Sequence, residues 1–241
     1  MASGQADERA TAPAEVRWGL GDAVVGFVLA WVITAALTPL IFAITGVDAN
    51  TPVSNIPLRT IALQQVPFDG TMLVVALLAS YRKGRGPLLD FGWRAEWRDV
   101  YGLVVGLLTQ YAALLLYLPL IWFTSVSADD VSKPARDLTD KASGGGVILL
   151  VLIVVIAAPI VEELFFRGLV LRSLERKWGT AWAVVGSAAV FGAAHLEPLQ
   201  FPALFVFGLV AAVLTVRSGR LGPSTFAHVA FNGIAVLTLL R

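Results

Sequence analysis

The sequence predicts an all-α protein, a polytopic bundle of about seven transmembrane helices, with six or eight spans also compatible. Of its 241 residues, 57% are hydrophobic and 15% charged, whereas soluble domains are about 45–50% apolar and about 25% charged. The mean hydropathy is +0.76. The apolar residues form runs of about 20, the length that crosses a bilayer as a helix, without the alternation of a transmembrane β-strand. A disordered chain is excluded, and a soluble enzyme is disfavoured.

Charge and cysteine content narrow the function classes. Eighteen Lys and Arg residues against seventeen Asp and Glu give a net charge of +1, which argues against a nucleic-acid partner. The chain has no cysteine, so it has no disulfide framework, no thiolate metal site and no cysteine nucleophile.

Seven candidate spans follow one another along the chain. They are residues 20–45, 61–81 and 100–125, a segment from about 147 past Glu162, a segment from about 180 past His195, and residues 201–216 and 223–240. The second span is the weakest, because Pro67, Asp69 and Gly70 interrupt it. We interpret residues 82–86 as a basic turn and residues 129–141 as a polar loop.

The distribution of Lys and Arg predicts that the N-terminus lies inside, because cytoplasmic segments carry the excess of positive charge. With this orientation thirteen of the eighteen basic residues are on the inner side, although Arg167 lies within a span. The apolar run from residue 18 to 47 is too long for a signal peptide, so we expect an uncleaved helix. The short loops and the Ala, Val, Leu and Gly content favour a bacterial cytoplasmic membrane.

Two adjacent carboxylates, Glu162 and Glu163, lie in the fourth span. One charged residue at a helix centre costs about 2.5–3.5 kcal/mol on insertion scales, so each needs a partner or a function. Glu163 and Arg167 are four residues apart and share a helix face, which predicts a structural ion pair. Glu162 faces elsewhere and is our candidate for the working carboxylate; the alternative is that both are structural.

The only two histidines, His195 and His228, also lie in apolar spans. His228 and Asn232 share a face. One such residue often serves only an interhelical hydrogen bond, but this set on the last four spans indicates a site. Glu162 and His195 each lie about 16 residues, or about 24 Å, from a turn near residue 178. This depth for His195 requires a turn at residues 196–200 within the bilayer, and such a turn must face protein or water. Glu197 in this turn is a minor candidate for the site.

Three motifs therefore occur in order along residues 146–241. They are Glu162-Glu163-x-x-x-Arg167, Phe191-x-x-x-His195 and His228-x-x-x-Asn232. Together they resemble the CAAX protease and bacteriocin-processing family (CPBP, or Abi), which includes the type II CAAX prenyl endopeptidases, and no motif residue departs from the family pattern. The resemblance implies an intramembrane endopeptidase with its site in a cavity open toward the cytosol.

Residue by residue, the resemblance implies that Glu162 activates a water with the help of His195. His228 and Asn232 would then stabilise the oxyanion. These roles agree with the need for a base beside the water and for donors aimed at the developing negative charge.

The supporting residues implied by the resemblance are Glu163 and Arg167, which would hold Glu162, and Phe191, which would pack near His195. The chain then divides into a disordered polar tail at residues 1–17, an N-terminal transmembrane region at 18–145 and a CPBP-like catalytic core at 146–241.

A metal-dependent version of the same protease remains open. Glu162, His195 and His228 would make the His₂Glu ligand set of a catalytic zinc, and Glu163 would then have to leave Arg167 and act as the base. No His-Glu-x-x-His motif is present, so the sequence favours a mechanism that needs no cofactor.

Other functions compete with proteolysis. A transporter or proton relay also uses buried Glu and His, but it predicts more polar residues in the first three spans than Asp69 and Gln110. A non-catalytic scaffold is disfavoured by the intact motifs. Ser187 and Ser224 lack the setting of a serine nucleophile.

The expected partners are the lipid bilayer and a membrane-associated protein or peptide. Substrates of the family are prenylated C-termini or membrane-anchored precursors, and some members act in bacteriocin immunity. We do not expect prenylated substrates in a bacterial membrane, and residues 238–241 are not themselves a prenylation signal.

Overall fold

The computed structural model describes residues 16–240, and the predicted tail at residues 1–17 lies almost wholly outside this part. The described part contains eight helices of twelve or more residues and no strand. The helices are α1 Leu20–Thr45, α2 Leu58–Lys83, α3 Tyr101–Phe123, α4 Ala128–Thr139, α5 Gly145–Trp178, α6 Thr180–Ala194, α7 Phe201–Ser218 and α8 Gly222–Leu239. Short helical turns occupy Val53–Asn55, Pro87–Asp90 and Trp97–Val100.

The predicted all-α membrane fold is confirmed, and each of the seven predicted spans coincides with one helix. Five helices within residues 16–240 are long and apolar enough to cross a membrane: α1, α2, α3 with its preceding turn, α5 and α7. The α6 helix is apolar but has only 15 residues. The protein is therefore an integral membrane protein, and the count of seven spans stays a prediction.

The prediction of a loop at residues 129–141 is wrong, because this segment forms α4. Ser127 caps the helix: its hydroxyl accepts from the Asp130 N–H at 3.2 Å, and Asp130 accepts from the Ser127 N–H at 2.8 Å. Lys133 and Asp137 form an ion pair one turn apart, at 2.7 Å. The capping box and this pair stabilise a helix that the charges and Pro134 concealed.

Small residues let the helices approach closely, as is typical of membrane bundles. The α3 and α8 helices run parallel. A Cβ on Gly102 would lie 2.2 Å from the Pro223 carbonyl oxygen, and one on Gly106 would lie 2.0 Å from that of Ala227. The two backbones therefore touch along two turns.

One hydrophobic core joins the N-terminal and C-terminal regions. Trp18 and Met72 belong to the same buried cluster as Phe165, Phe207 and Phe231. The helices before α4 thus form one side of the environment of the C-terminal motifs.

The bundle has two chemically different ends. The basic end holds the start of α1, the end of α2, the α5–α6 junction and the α7–α8 turn; the far end holds the α1–α2 loop, α4 and the end of α8. Within residues 16–240, eleven basic residues lie at the basic end: Arg17, Arg82, Lys83, Arg85, Arg94, Arg98, Arg172, Arg176, Lys177, Arg217 and Arg220. The described far end has four: Arg59, Lys133, Arg136 and Lys141.

Candidate active site

The α5 helix carries the first motif and is locally widened. Two stretches, Val151–Ala157 and Glu163–Leu171, have the wider π-helical winding, which is uncommon and is found mostly at functional sites. In the first stretch the Ala158 N–H donates to the Ile153 carbonyl, five residues earlier. The same pattern would pair the Val154 carbonyl with the next residue, Pro159, which has no N–H to donate.

Asn232 of α8 supplies the missing donor. Its side-chain Nδ2 donates to the Val154 carbonyl oxygen at 2.9 Å. The last motif residue therefore links α8 to the widened part of α5, and it also lines a cavity. Sequence spacing alone could not reveal this contact.

The ion pair predicted between Glu163 and Arg167 is present and buried. Arg167 Nη1 lies 3.2 Å from Glu163 Oε1, with side-chain exposures of 1% and 0%. The guanidinium also lies over two aromatic rings, 4.3 Å from the centroid of Phe191 and 5.7 Å from that of Phe207. These cation–π contacts stabilise a charge that water does not reach.

His228 lies between the two glutamates, which the sequence did not predict. Its Nδ1 is 3.0 Å from Glu163 Oε1, and its Nε2 is 3.6 Å from Glu162 Oε2. An ionised carboxylate can only accept, so the Nδ1–H donates to Glu163 and Nε2 is turned toward Glu162. Glu162 itself keeps 15% of its side chain exposed, whereas Glu163 keeps none.

His195 caps the end of α6 and presents one nitrogen to the site. Its Nδ1 lies 2.9 Å from the Phe191 carbonyl oxygen. Because a carbonyl can only accept, Nδ1 carries the proton of a neutral ring, and Nε2 is left as an acceptor. The ring packs edge-on against Phe191, with centroids 4.9 Å apart, and Phe191 also contacts the ring of His228 at 5.6 Å.

The turn expected at residues 196–200 is present between α6 and α7. Leu196 has a positive φ of 56°, an uncommon conformation for a branched residue. Tyr117 of α3 holds this turn: its hydroxyl donates to the Leu199 carbonyl at 2.8 Å and accepts from the Ala203 N–H at 3.3 Å. Tyr117 was not predicted from the sequence, in which it is a phenol within an apolar span.

Two cavities meet at the site. The larger, about 620 Å³, is bounded by α2, α3, α4, α5, α8, the α6–α7 turn and the start of α7. The smaller, about 520 Å³, is bounded by α1, α2, α5 and the end of α6. Glu162 and His195 line both, so they form part of the wall that the cavities share. Glu197 is exposed and lines the larger one.

The larger cavity extends in a direction that the sequence did not predict. Its lining comes from the halves of α2, α3, α5 and α8 that lie toward the far end, together with α4. A site open toward the cytosol and an N-terminus inside were both expected. The start of α1 lies at the basic end, opposite to the end toward which the cavity extends. The N-terminus and the cavity therefore cannot both face the cytosol.

The predicted zinc ligands do not form a ligand set. Within residues 16–240, no three His, Cys, Asp or Glu side chains lie together as a metal-binding group. Both nitrogens of His228 face carboxylates, and His195 uses Nδ1 for a backbone carbonyl. The arrangement of Glu162, His195 and His228 therefore does not match the set proposed for zinc.

The Glu162 carboxylate lies beside the His228 imidazole and lines the same cavities as His195, an arrangement suited to acid–base chemistry within the membrane. Comparison with known families makes the class specific. Residues 144–234 match the family described as Type II CAAX prenyl endopeptidase Rce1-like, a range that contains all three motifs. The C-terminal part of the chain is therefore similar to a family of CAAX prenyl endopeptidases, which are proteases.

No curated protein and no solved structure matches the chain.

Proposed function

We propose that the protein hydrolyses a peptide bond of a membrane-associated protein or peptide with a water activated by Glu162. The observation that supports this most is the position of the Glu162 carboxylate, which lines both cavities and lies beside His228. A general base must reach its water at hydrogen-bond distance, and of the two adjacent glutamates Glu162 is the one turned toward open space. The family match favours proteolysis over a proton relay.

The reaction begins at the cavity wall. Glu162 takes a proton from the water while the water oxygen attacks the carbonyl carbon of the substrate. His195, whose Nε2 is free to accept, orients the same water. When the carbon–nitrogen bond breaks, Glu162 returns its proton to the leaving amine, so the products are a carboxylic acid and an amine.

His228 and Asn232 stabilise the oxyanion that forms on the substrate carbonyl. The Asn232 amide has two N–H donors; one serves the Val154 carbonyl, and the other is available for the oxyanion. His228 is the second donor in the form that carries a proton on both ring nitrogens, in which Nδ1–H donates to Glu163 and Nε2–H donates to the oxyanion. Each such donor contributes about 2.7–4 kcal/mol of transition-state stabilisation in measured cases.

Glu163 and Arg167 act as positioning residues. Glu163 accepts from His228 Nδ1, which sets the tautomer and orientation of the ring, as a buried carboxylate does in other catalytic groups. Arg167 neutralises Glu163 and keeps that carboxylate from competing for the water. The preferred mechanism needs no metal or other cofactor.

The test is the conservative variant Glu162→Gln, which keeps the side-chain volume and removes the base. Membranes with wild-type protein or variant are compared by sequencing of newly formed peptide N-termini. The matched control is Glu96→Gln, because Glu96 is exposed at the basic end and lines neither cavity. We expect Glu162→Gln to lower cleavage by about 10²–10⁴-fold and Glu96→Gln to retain it. Unchanged cleavage in Glu162→Gln would remove this residue from the mechanism.

Metal dependence is tested on the purified wild-type protein. Treatment with a zinc chelator should leave cleavage unchanged. Loss of cleavage that added Zn²⁺ restores would favour the metal-dependent version instead.

A further inference from the structure

Along the helix axes, the larger cavity lies mainly on one side of Glu162. Its lining residues fall at positions 58–65 of α2, 110–117 of α3, 150–162 of α5 and 231–239 of α8. On α2 and α5, which run from the far end, these are the earlier positions; on α3 and α8, which run the other way, they are the later ones. From Glu162 the open space therefore leads toward the far end.

At the basic end, by contrast, side chains pack against one another between the helices. The Trp18 indole donates to Asp90 at 2.9 Å, and Arg176 donates to the Trp18 carbonyl at 2.6 Å and lies over its ring. Arg220 pairs with Asp99 at 2.6 Å. The close contact of α3 with α8 lies at this end as well.

Positive charge identifies which end faces the cytoplasm. The described basic end has eleven Lys and Arg residues, and the described far end has four. Because Lys and Arg near the ends of spans are retained in the cytoplasm, the basic end is cytoplasmic. The far end, with α4 and the part of the cavity that extends from Glu162, then lies on the other side.

We infer that the active-site cavity opens toward the noncytoplasmic face of the membrane and takes its substrate from that side. This inference rests on the proposed function. The substrate class is a membrane-anchored polypeptide whose scissile segment enters the cavity from the noncytoplasmic side and reaches Glu162. Leu58, Ile61, Leu138 and Val154 on the wall favour an apolar segment within the cavity.

The orientation is tested by cysteine labelling, for which the absence of native cysteine provides a silent background. Ser125→Cys and Ala95→Cys form a matched pair of exposed positions that flank α3, at the far end and the basic end respectively. Spheroplasts that express each variant are treated with a membrane-impermeant maleimide, with and without permeabilisation.

We expect Ser125→Cys to be labelled in intact spheroplasts and Ala95→Cys only after permeabilisation. The reverse pattern, or labelling of both positions in intact spheroplasts, would overturn the inference. This readout does not depend on proteolysis.

The side of substrate entry is tested with reporters that have a single transmembrane anchor. A short randomised segment is placed directly next to the anchor, either on its noncytoplasmic or on its cytoplasmic side, and each set is expressed with wild-type protein or with Glu162→Gln. Cleavage of the noncytoplasmic set alone, lost in Glu162→Gln, supports the inference. Cleavage of the cytoplasmic set overturns it, whereas cleavage of neither set contradicts the proposed function.

Discussion

The two ends of the bundle use polar residues in different ways. At the basic end Asp90 is buried and accepts hydrogen bonds from the Trp18 indole, the Ser80 hydroxyl and the Arg85 N–H, at 2.7–2.9 Å. At the far end the ion pairs lie on the exposed surface of α4, where Asp129 keeps 79% of its side chain exposed. Surface pairs contribute little to stability. The basic end therefore stabilises the bundle, and the far end holds most of the larger cavity.

The buried pair of Glu163 and Arg167 lies between these ends and is the most sensitive element. Glu163→Gln would leave the Arg167 guanidinium buried without a counter-charge, which costs about 3–5 kcal/mol of unfolding free energy. We expect a large loss of thermal stability in detergent, followed by tryptophan fluorescence, together with loss of cleavage.

Two comparisons sharpen this prediction. Glu162→Gln should lose cleavage with a much smaller loss of stability, because its side chain borders a cavity. The double variant Glu163→Leu/Arg167→Leu removes both charges and should recover part of the stability without restoring cleavage. If Glu163→Gln unfolds at the wild-type temperature, the pair does not contribute to stability as we describe.

The second effect concerns the basic end. Asp90→Asn would remove the charge that four hydrogen-bond donors share, and hydrogen bonds to charged groups contribute about 1.5–3 kcal/mol each. We expect a clear decrease in unfolding temperature. The positions of the residues that line the cavities should stay the same. Asp129→Asn at the far end is the matched control and should unfold close to wild type.

The contribution of Asp90 also has a defined pH dependence. Burial alone would raise the pKa of this carboxyl, but the hydrogen bonds from Ser80, Arg85 and Trp18 outweigh burial and lower the pKa from its ordinary 3.8. A lowered folded-state pKa means that the stabilisation is complete above the ordinary value and is lost as the pH falls through the folded-state value. The stability difference between wild type and Asp90→Asn should therefore be constant from pH 7 to 5 and shrink below pH 4. A difference that grows on acidification would contradict this.

The smallest effect compares two glycines. A Cβ on Gly102 would lie 2.2 Å from the Pro223 carbonyl oxygen, so Gly102→Ala must push α3 and α8 apart, at about 1–3 kcal/mol. Gly145, at the far-end start of α5, has nothing within 4 Å of that position, and Gly145→Ala should be neutral or stabilising. Equal unfolding temperatures for the two variants would show that the contact of α3 with α8 is not tightly packed.

Local sequence patterns were sufficient to predict much of the fold. The length of each apolar run predicted seven helices close to their observed bounds, because a span needs a set number of apolar residues. The spacing of Glu163 and Arg167 predicted their ion pair, since four residues return a helix to the same face. The prediction failed for α4, where a capping box and ion pairs outweigh high charge.

Contacts between helices were beyond the reach of such patterns. Nothing in the spacing of His228 and Asn232 indicates that the first lies between two glutamates or that the second binds the Val154 carbonyl. Tyr117 was missed for the same reason, because its partners lie on a turn more than eighty residues later in the chain.

The sequence by itself determined that the protein is a helical membrane protein and which polar side chains had to find partners, because apolar length and helical spacing are properties of neighbouring residues. Only the tertiary structure decided how these side chains meet and toward which end of the bundle the cavity opens. Those features depend on the register and direction of helices that are distant in the chain, and these follow from packing between small residues and from buried polar contacts.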